Sequence, residues 1–196
     1  AEDTATEVAS AKALAERAVA LDPNEPMAHY ALGRAHMLTG DTEMAIAEMQ
    51  SAITTNPNFD RGHHGLGWVY CYSAGQPDQG LPHLDTALRL NPRTPMLWTN
   101  IMIKGSALRA LGRHDEAISY CRRACQYPDS GYFPYMHLTA ALAEAGKIND
   151  AQQALEKVRQ LQPAFSIGLV RDLRANENEA ALTSLLNSLR KAGVPE

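Results

Sequence analysis

The stretch EPMAHYALGRAHMLTGDTEMAIAEMQSAITTNPN, residues 25–58, decides the fold. Its apolar residues fall at helical intervals on both sides of one glycine. Leu32, Ala35 and Met37-Leu38 precede Gly40, and Ala45, Met49 and Ala52-Ile53 follow it. Gly40 interrupts the first run and Pro57 closes the second, so the stretch reads as two helices joined by a tight turn. Asp41 or Thr42 supplies a short polar side chain able to accept from the free amides that open the second helix.

The same punctuation recurs outward along the chain. Leu21-Asp22-Pro23, Thr55-Asn56-Pro57, Leu90-Asn91-Pro92, Gln126-Tyr127-Pro128 and Leu161-Gln162-Pro163 each close an apolar-periodic segment, with successive prolines 34, 35, 36 and 35 residues apart. Gly40, Gly75, Gly112 and Gly146 divide the units into halves of helical length. Asp78 and Asn149 read as further caps. With Asp78 as cap, Pro82 becomes the fourth helical residue, where its missing N–H costs no intrahelical bond. A period of this length means repeated modules that bury their apolar faces against neighbours.

Composition narrows the function. The 196 residues carry 22 acidic and 18 basic side chains, a formal charge of −4, and this near balance argues against a nucleic-acid-binding chain. Hydrophobic residues at 45% are enough for a core and too many for disorder. The longest stretch without a formal charge, Gly62 to Pro77, is too rich in His, Tyr, Ser, Gln and Pro to span a membrane. The opening segment AEDTATEVASAKALAERAVA lacks the basic-then-apolar arrangement of a secretory signal, and the missing initial Met reads as a processed chain or an excised fragment. Three cysteines, Cys71, Cys121 and Cys125, fit reduced thiols and a cytoplasmic location.

These units resemble the tetratricopeptide repeat, a 34-residue helix-turn-helix with a large residue, a Leu-Gly pair, an aromatic, two small residues and a closing proline. The first complete unit offers His29, Leu32-Gly33, His36, Ala45, Met49, Ala52 and Pro57 in those slots. The second has His63, Leu66-Gly67, Tyr70, Leu84, Ala87 and Pro92, with Gly80 at the first small slot and one extra residue before Gly75. The third keeps Trp98, Ala117, Cys121 and Ala124, has Ile101-Met102 in place of Leu-Gly, and carries three extra residues before Gly112, which predicts a first helix one turn longer. The fourth has Tyr135, Leu138, Thr139, Leu142, Gly146, Ala151, Leu155, Val158 and Pro163. The resemblance implies an all-α, right-handed superhelical solenoid of antiparallel helix pairs in one domain over 1–196. It comprises a half repeat at 5–25, repeats at about 26–59, 60–94, 95–131 and 132–165, and a C-terminal cap over 166–196. That cap ends in a helix from about Glu179 to Lys191 with Leu182, Leu185-Leu186 and Leu189 on one face. The tail LRKAGVPE and the segment AGQPDQGLPHLDTALRLNPRTPMLW also resemble the tetratricopeptide modules that end bacterial class III adenylate/guanylate cyclases and some winged-helix regulators.

In this family the first helix of each unit lines a concave groove where peptides bind. Carried over slot by slot, the groove positions are Tyr30, Arg34, Met37 and Leu38, then His64, Trp68, Cys71 and Tyr72, with Met96, Thr99, Ile103, Met136 and Ala140 from later units. Trp, Tyr and Arg dominate binding energy at interfaces, and flexible Met suits adaptable contacts. Family members that grip a carboxylate tail use Lys and Asn here; Tyr30, Arg34 and Trp68 disfavour that ligand.

Other constellations read as packing. His63 and His64 point about 100° apart on a helix and cannot share an ion from it alone. His114, Cys121 and Cys125 share one face, but Cys121 occupies an interior slot and no fourth zinc ligand is evident. Arg109, Arg113, Arg122 and Arg123 read as a solvated face paired with Asp115 and Glu116. The glycines of GHHGLGW fall on a helix, not at a phosphate-cradling turn, and no nucleophile–base set stands at a motif spacing. The expectation is a non-catalytic module with no cofactor or metal, binding a protein or peptide and no nucleic acid or membrane. It would form the C-terminal regulatory part of a bacterial signalling protein such as an adenylate cyclase. Beside it stand a self-association module, giving a homodimer, and a metal- or ligand-sensing domain.

Overall fold

The structure, a computed structural model, describes residues 2–196, with side chains from residue 6 onward. Among the described residues there are eleven α-helices and no strand. They run α1 (Glu2–Leu21), α2 (Pro26–Thr39), α3 (Thr42–Thr55), α4 (Asp60–Trp68), α5 (Pro77–Leu90), α6 (Leu97–Ala110), α7 (His114–Ala124), α8 (Phe133–Glu144), α9 (Ile148–Leu161), α10 (Ile167–Leu173) and α11 (Glu179–Lys191). A π-helical turn, Val69–Ser73, continues α4, and a 3-10 turn, Pro128–Ser130, precedes α8. Contacts divide the chain into two compact units, 1–92 and 93–196.

The prolines and glycines act as the repeat reading expects. A residue before proline is pushed out of the helical region, and Asn56, Asn91 and Gln162 are extended at φ near −140° (−140°, −138° and −139°), each just after a helix ends. Gly40 has φ 76°, and its N–H and that of Asp41 reach back to Met37 and His36 carbonyls, a left-handed cap that a side chain with Cβ rarely tolerates. Gly75, Gly112 and Gly146 repeat the positive φ.

In unit 1, α2 packs on α3, α4 on α5, and α1 on α2. Met49, Leu66 and Leu84 are fully buried there, each worth roughly 1.5–3 kcal/mol of transfer free energy. The helices approach closely because small residues face large ones: a Cβ on Gly33 or Gly65 would strike Met49, and one on Gly67 would strike Leu84. In unit 2, α6 pairs with α7 and α8 with α9, and α11 rests mainly on α8.

Several local expectations are corrected. Asp41 does cap α3, accepting from the Met44 amide, but α5 opens at Pro77 and α9 at Ile148, which leaves Asp78 and Asn149 inside their first turns. Pro77 is preorganised for the first helical position and takes the start. Pro82 is therefore the sixth residue of α5 and removes a bond to the Asp78 carbonyl.

The third repeat is also re-registered. α6 has 14 residues, the same as α2, so it is not a turn longer; two of the three extra residues lengthen the connection before it. Gly105 faces Cys121 and the Ala117 carbonyl as Gly33 faces Met49 and the Ala45 carbonyl. Lys104-Gly105, and not Ile101-Met102, is thus the counterpart of Leu32-Gly33, and Ile101, fully buried, replaces Trp98 in the first large slot. In the second repeat the extra residue before Gly75 is absorbed by the π turn, closed by the Ala74 amide on the Val69 carbonyl at 2.8 Å.

Candidate functional site

The first-slot histidines are held by a repeated device. Nε2 of His29 donates to the Pro23 carbonyl at 2.9 Å, and Nε2 of His63 to the Pro57 carbonyl at 3.0 Å. Their other nitrogens meet opposite chemistry from the second helix. Nδ1 of His29 lies 2.7 Å from a Glu48 carboxylate oxygen, so both ring nitrogens face acceptors; although burial opposes it, this raises the His29 pKa. Nδ1 of His63 lies 3.2 Å from Nδ1 of His83, where a single proton serves both rings, and Tyr70 stacks on His83 at 5.9 Å. Burial and then the charge of His63 lower the His83 pKa.

On the first helices of unit 1, the expected groove residues split into surface and core. Arg34 and Leu38 are exposed, Leu38 at 55%, while Met37 and Trp68 are half-buried. Arg34 donates to the Tyr30 hydroxyl at 3.2 Å and lies over its ring, and Trp68 meets Tyr72 edge-on at 5.3 Å. Tyr30 is buried with Met49 and Leu66, and His64 and Tyr72 are also buried. Cys71 is buried toward α5, its sulfur 2.5 Å from where a Gly80 Cβ would sit, because the π turn shifts the register after Trp68 by one residue. α2 and α4 pack on each other, which brings Arg34, Leu38, Met37 and Trp68 onto neighbouring helices.

In unit 2 three of the five expected positions are buried. Met96 and Thr99 are half-buried, whereas Ile103, Met136 and Ala140 are within the core. The corrected register of the third repeat makes Arg109 the counterpart of Met37, and the fourth repeat's slots make Glu144 the counterpart of Leu38. Arg109 is buried and donates to Glu144; Ser188 donates to the same carboxylate oxygen, and Arg109 reaches the Ser184 hydroxyl at 3.3 Å. Nearby, Arg174 pairs with Glu177 at 2.8 Å and lies 3.2 Å from Nε2 of buried His137. Burial, with Arg174 and Arg109 adding, lowers the His137 pKa well below its usual value.

Of the arginine cluster, Arg113 keeps the expected partner Glu116, Arg122 turns to Asp150, and Arg109 is buried against Glu144. Arg113 binds Glu116 through two bonds of 2.7 and 2.8 Å, Arg122 approaches Asp150 at 3.6 Å, and Asp115 pairs with Lys147. His114 sits 3.8 Å from Glu144. Burial pushes the thiols of Cys71, Cys121 and Cys125 up to about 12, far from the thiolate form a metal needs. Among the described residues no three His, Cys, Asp or Glu side chains gather as a metal site. No helix there is long and apolar enough to cross a membrane.

Comparison with known proteins agrees with this geometry. A family model described as tetratricopeptide repeat matches residues 2–58 and 72–131. Anaphase-promoting complex subunit 3 of Schizosaccharomyces pombe is 26% identical over 146 residues, 74% of this chain and 21% of that protein. The small glutamine-rich tetratricopeptide repeat-containing protein 2 of Mycosarcoma maydis is 26% identical over 52% of this chain and 28% of its own length. The chain thus matches only about a quarter of either relative's length. Among solved structures, the type IV pilus biogenesis factor PilW superposes with a TM-score of 0.78 at 18% identity, covering 95% of this chain and 86% of PilW. A thermophilic TPR protein of Thermus thermophilus gives 0.68 at 22% identity, covering 93% of each chain. YrrB, described as a TPR protein with an unusual peptide-binding site, gives 0.63 at 17%, covering 91% of this chain and 90% of its own. With the repeat spacing, the paired helices and a family match over more than half its length, this chain belongs to the tetratricopeptide repeat family.

Proposed function

We propose that the chain is a non-catalytic recognition module that binds a peptide or helix on the face of its first helices. Tetratricopeptide proteins are generally protein–protein interaction modules and generally non-enzymatic. The observation that supports a site is the pair α2 and α4, which pack on each other and carry exposed Arg34 and Leu38 on the one and half-buried Trp68 on the other. A cation, an exposed leucine and an indole together favour an apolar segment with an acidic neighbour. Peptides selected on the intact chain from a displayed library should bind Arg34→Glu/Trp68→Ala at least tenfold more weakly, with helical circular dichroism retained. Equal binding to that variant would sink the assignment.

A second reading, self-association, is supported by Leu14 and Leu21 on α1, 68% and 77% exposed. Light scattering at rising concentration tests it, a constant monomer mass counting against. The finer proposal, a cytoplasmic C-terminal regulatory module of a bacterial signalling protein such as an adenylate cyclase, rests on the tail and repeat segment quoted above and on three free cysteines. The coding sequence upstream of Ala1 tests it.

A further inference from the structure

The first-helix face of unit 2 carries an occupant, the chain's own last helix. Met136 and Ala140, at groove positions of α8, share one apolar cluster with Leu185, Leu186 and Leu189 of α11, and Leu182 packs against it. Ser188 donates to Glu144 at the end of α8, and Ser184 meets Arg109 of α6, one repeat further back. Arg109 and Glu144 are themselves counterparts of the groove positions Met37 and Leu38 in the first repeat. α11 rests mainly on α8, the first helix of the final pair, shares one cluster with Leu155 and Val158 of α9, and reaches beyond that pair to Arg109 of α6.

The occupant also has the form of a ligand. Leu182, Leu185, Leu186 and Leu189 stand at i, i+3, i+4 and i+7, the spacing by which an amphipathic helix fills a groove. Its fit is imperfect. The contact pairs buried Arg109 with half-buried Glu144, and Nε of Arg109 is buried without a hydrogen-bond acceptor among the described residues. Buried ion pairs add little net stability compared with apolar packing, and an unmade bond there costs the complex.

Resting on the reading that first-helix faces are the recognition surface, we propose that this face of unit 2 receives amphipathic helices and that α11 is its resident, exchangeable occupant. The partner it fits is a leucine-striped helix with small polar residues where Ser184 and Ser188 lie. Such a helix competes with α11 for Met136, Ala140, Arg109 and Glu144.

The test uses the full chain and a fluorescent synthetic peptide of residues 176–196. Ser188→Glu sets a second carboxylate against Glu144 and loosens α11. Anisotropy should show saturable peptide binding at least tenfold tighter to Ser188→Glu than to the unmodified chain. A peptide with Leu185→Asp and Leu189→Asp should not bind. Hydrogen exchange on the unmodified chain keeps the test open should the variant lose helicity: α11 amides should exchange faster than those of α8 and α9. No peptide binding to a variant that keeps its helicity, or α11 exchanging together with α8, overturns the proposal. A Ser188→Glu dimer that excess peptide does not dissociate assigns the face to a second copy and overturns the partner helix. Arg34→Glu/Trp68→Ala lies in unit 1 and should leave this binding unchanged, so failure here leaves the unit 1 site standing.

Discussion

At the residue scale, the same contact in two repeats carries opposite proton chemistry: the equivalent His29 and His63 face Glu48 and His83 from the second helix. His29, facing Glu48, binds its proton more tightly in the folded chain, so its contribution to stability is full below the usual value of 6.5 and is lost as pH rises through its raised value. His83, facing His63, does the reverse. Its contribution is present above 6.5 and is lost as pH falls toward its lowered value, where the unfolded chain takes up a proton the folded one refuses. His83→Gln should therefore flatten the fall in melting temperature between pH 7 and pH 5.5, measured by circular dichroism; an unchanged slope would count against the shared-proton pair. Gly80→Ala is expected to destabilise. Its Cβ would lie 2.5 Å from the Cys71 sulfur and 3.0 Å from the Gly67 carbonyl, which backbone cannot yield cheaply. Overpacking of this kind costs about 1–3 kcal/mol, set against a helix-propensity gain of up to about 1 kcal/mol, and urea denaturation measures the balance. The histidine slots were legible in the sequence; their partners Glu48 and His83 were not, because they come from the other helix of each pair.

At the element scale, Pro82 is the clearest liability. As the sixth residue of α5 it is exposed and deprives the Asp78 carbonyl of its donor. Pro82→Ala should raise stability by about 1–3 kcal/mol, given the cost of an interior proline, seen as a higher midpoint in urea. No gain would mean the carbonyl is already well satisfied by water. Helix existence followed from the 3.6-residue pattern, and the bounds of α11, Glu179–Lys191, match the sequence reading. Insertions were harder to place. Counting from the prolines put the extra residues of the third repeat inside its helix, whereas the close approach of Gly105 to Cys121 fixes the helix register and displaces most of them into the preceding connection. The single extra residue of the second repeat went the other way, into a π turn, because both Gly67 and Gly75 are pinned by packing and by the cap.

For the whole molecule, the single-domain reading predicts one cooperative thermal transition over 1–196. Separate transitions for 1–92 and 93–196, resolved by hydrogen exchange with mass spectrometry, would set it aside. The order of the helices, their pairing and the family were readable from the sequence alone, since proline, glycine and apolar spacing act locally and repeat. The face that recognises a partner was readable only as a set of positions. Which of those positions stay open was decided by tertiary structure: Arg34, Leu38 and Trp68 keep surface, while Met136 and Ala140 are buried in one cluster with Leu185, Leu186 and Leu189. The physical reason is distance along the chain. The leucines that cover α8, and the serines that meet Arg109 and Glu144, lie some 40 to 75 residues from what they touch, and no local periodicity carries that pairing.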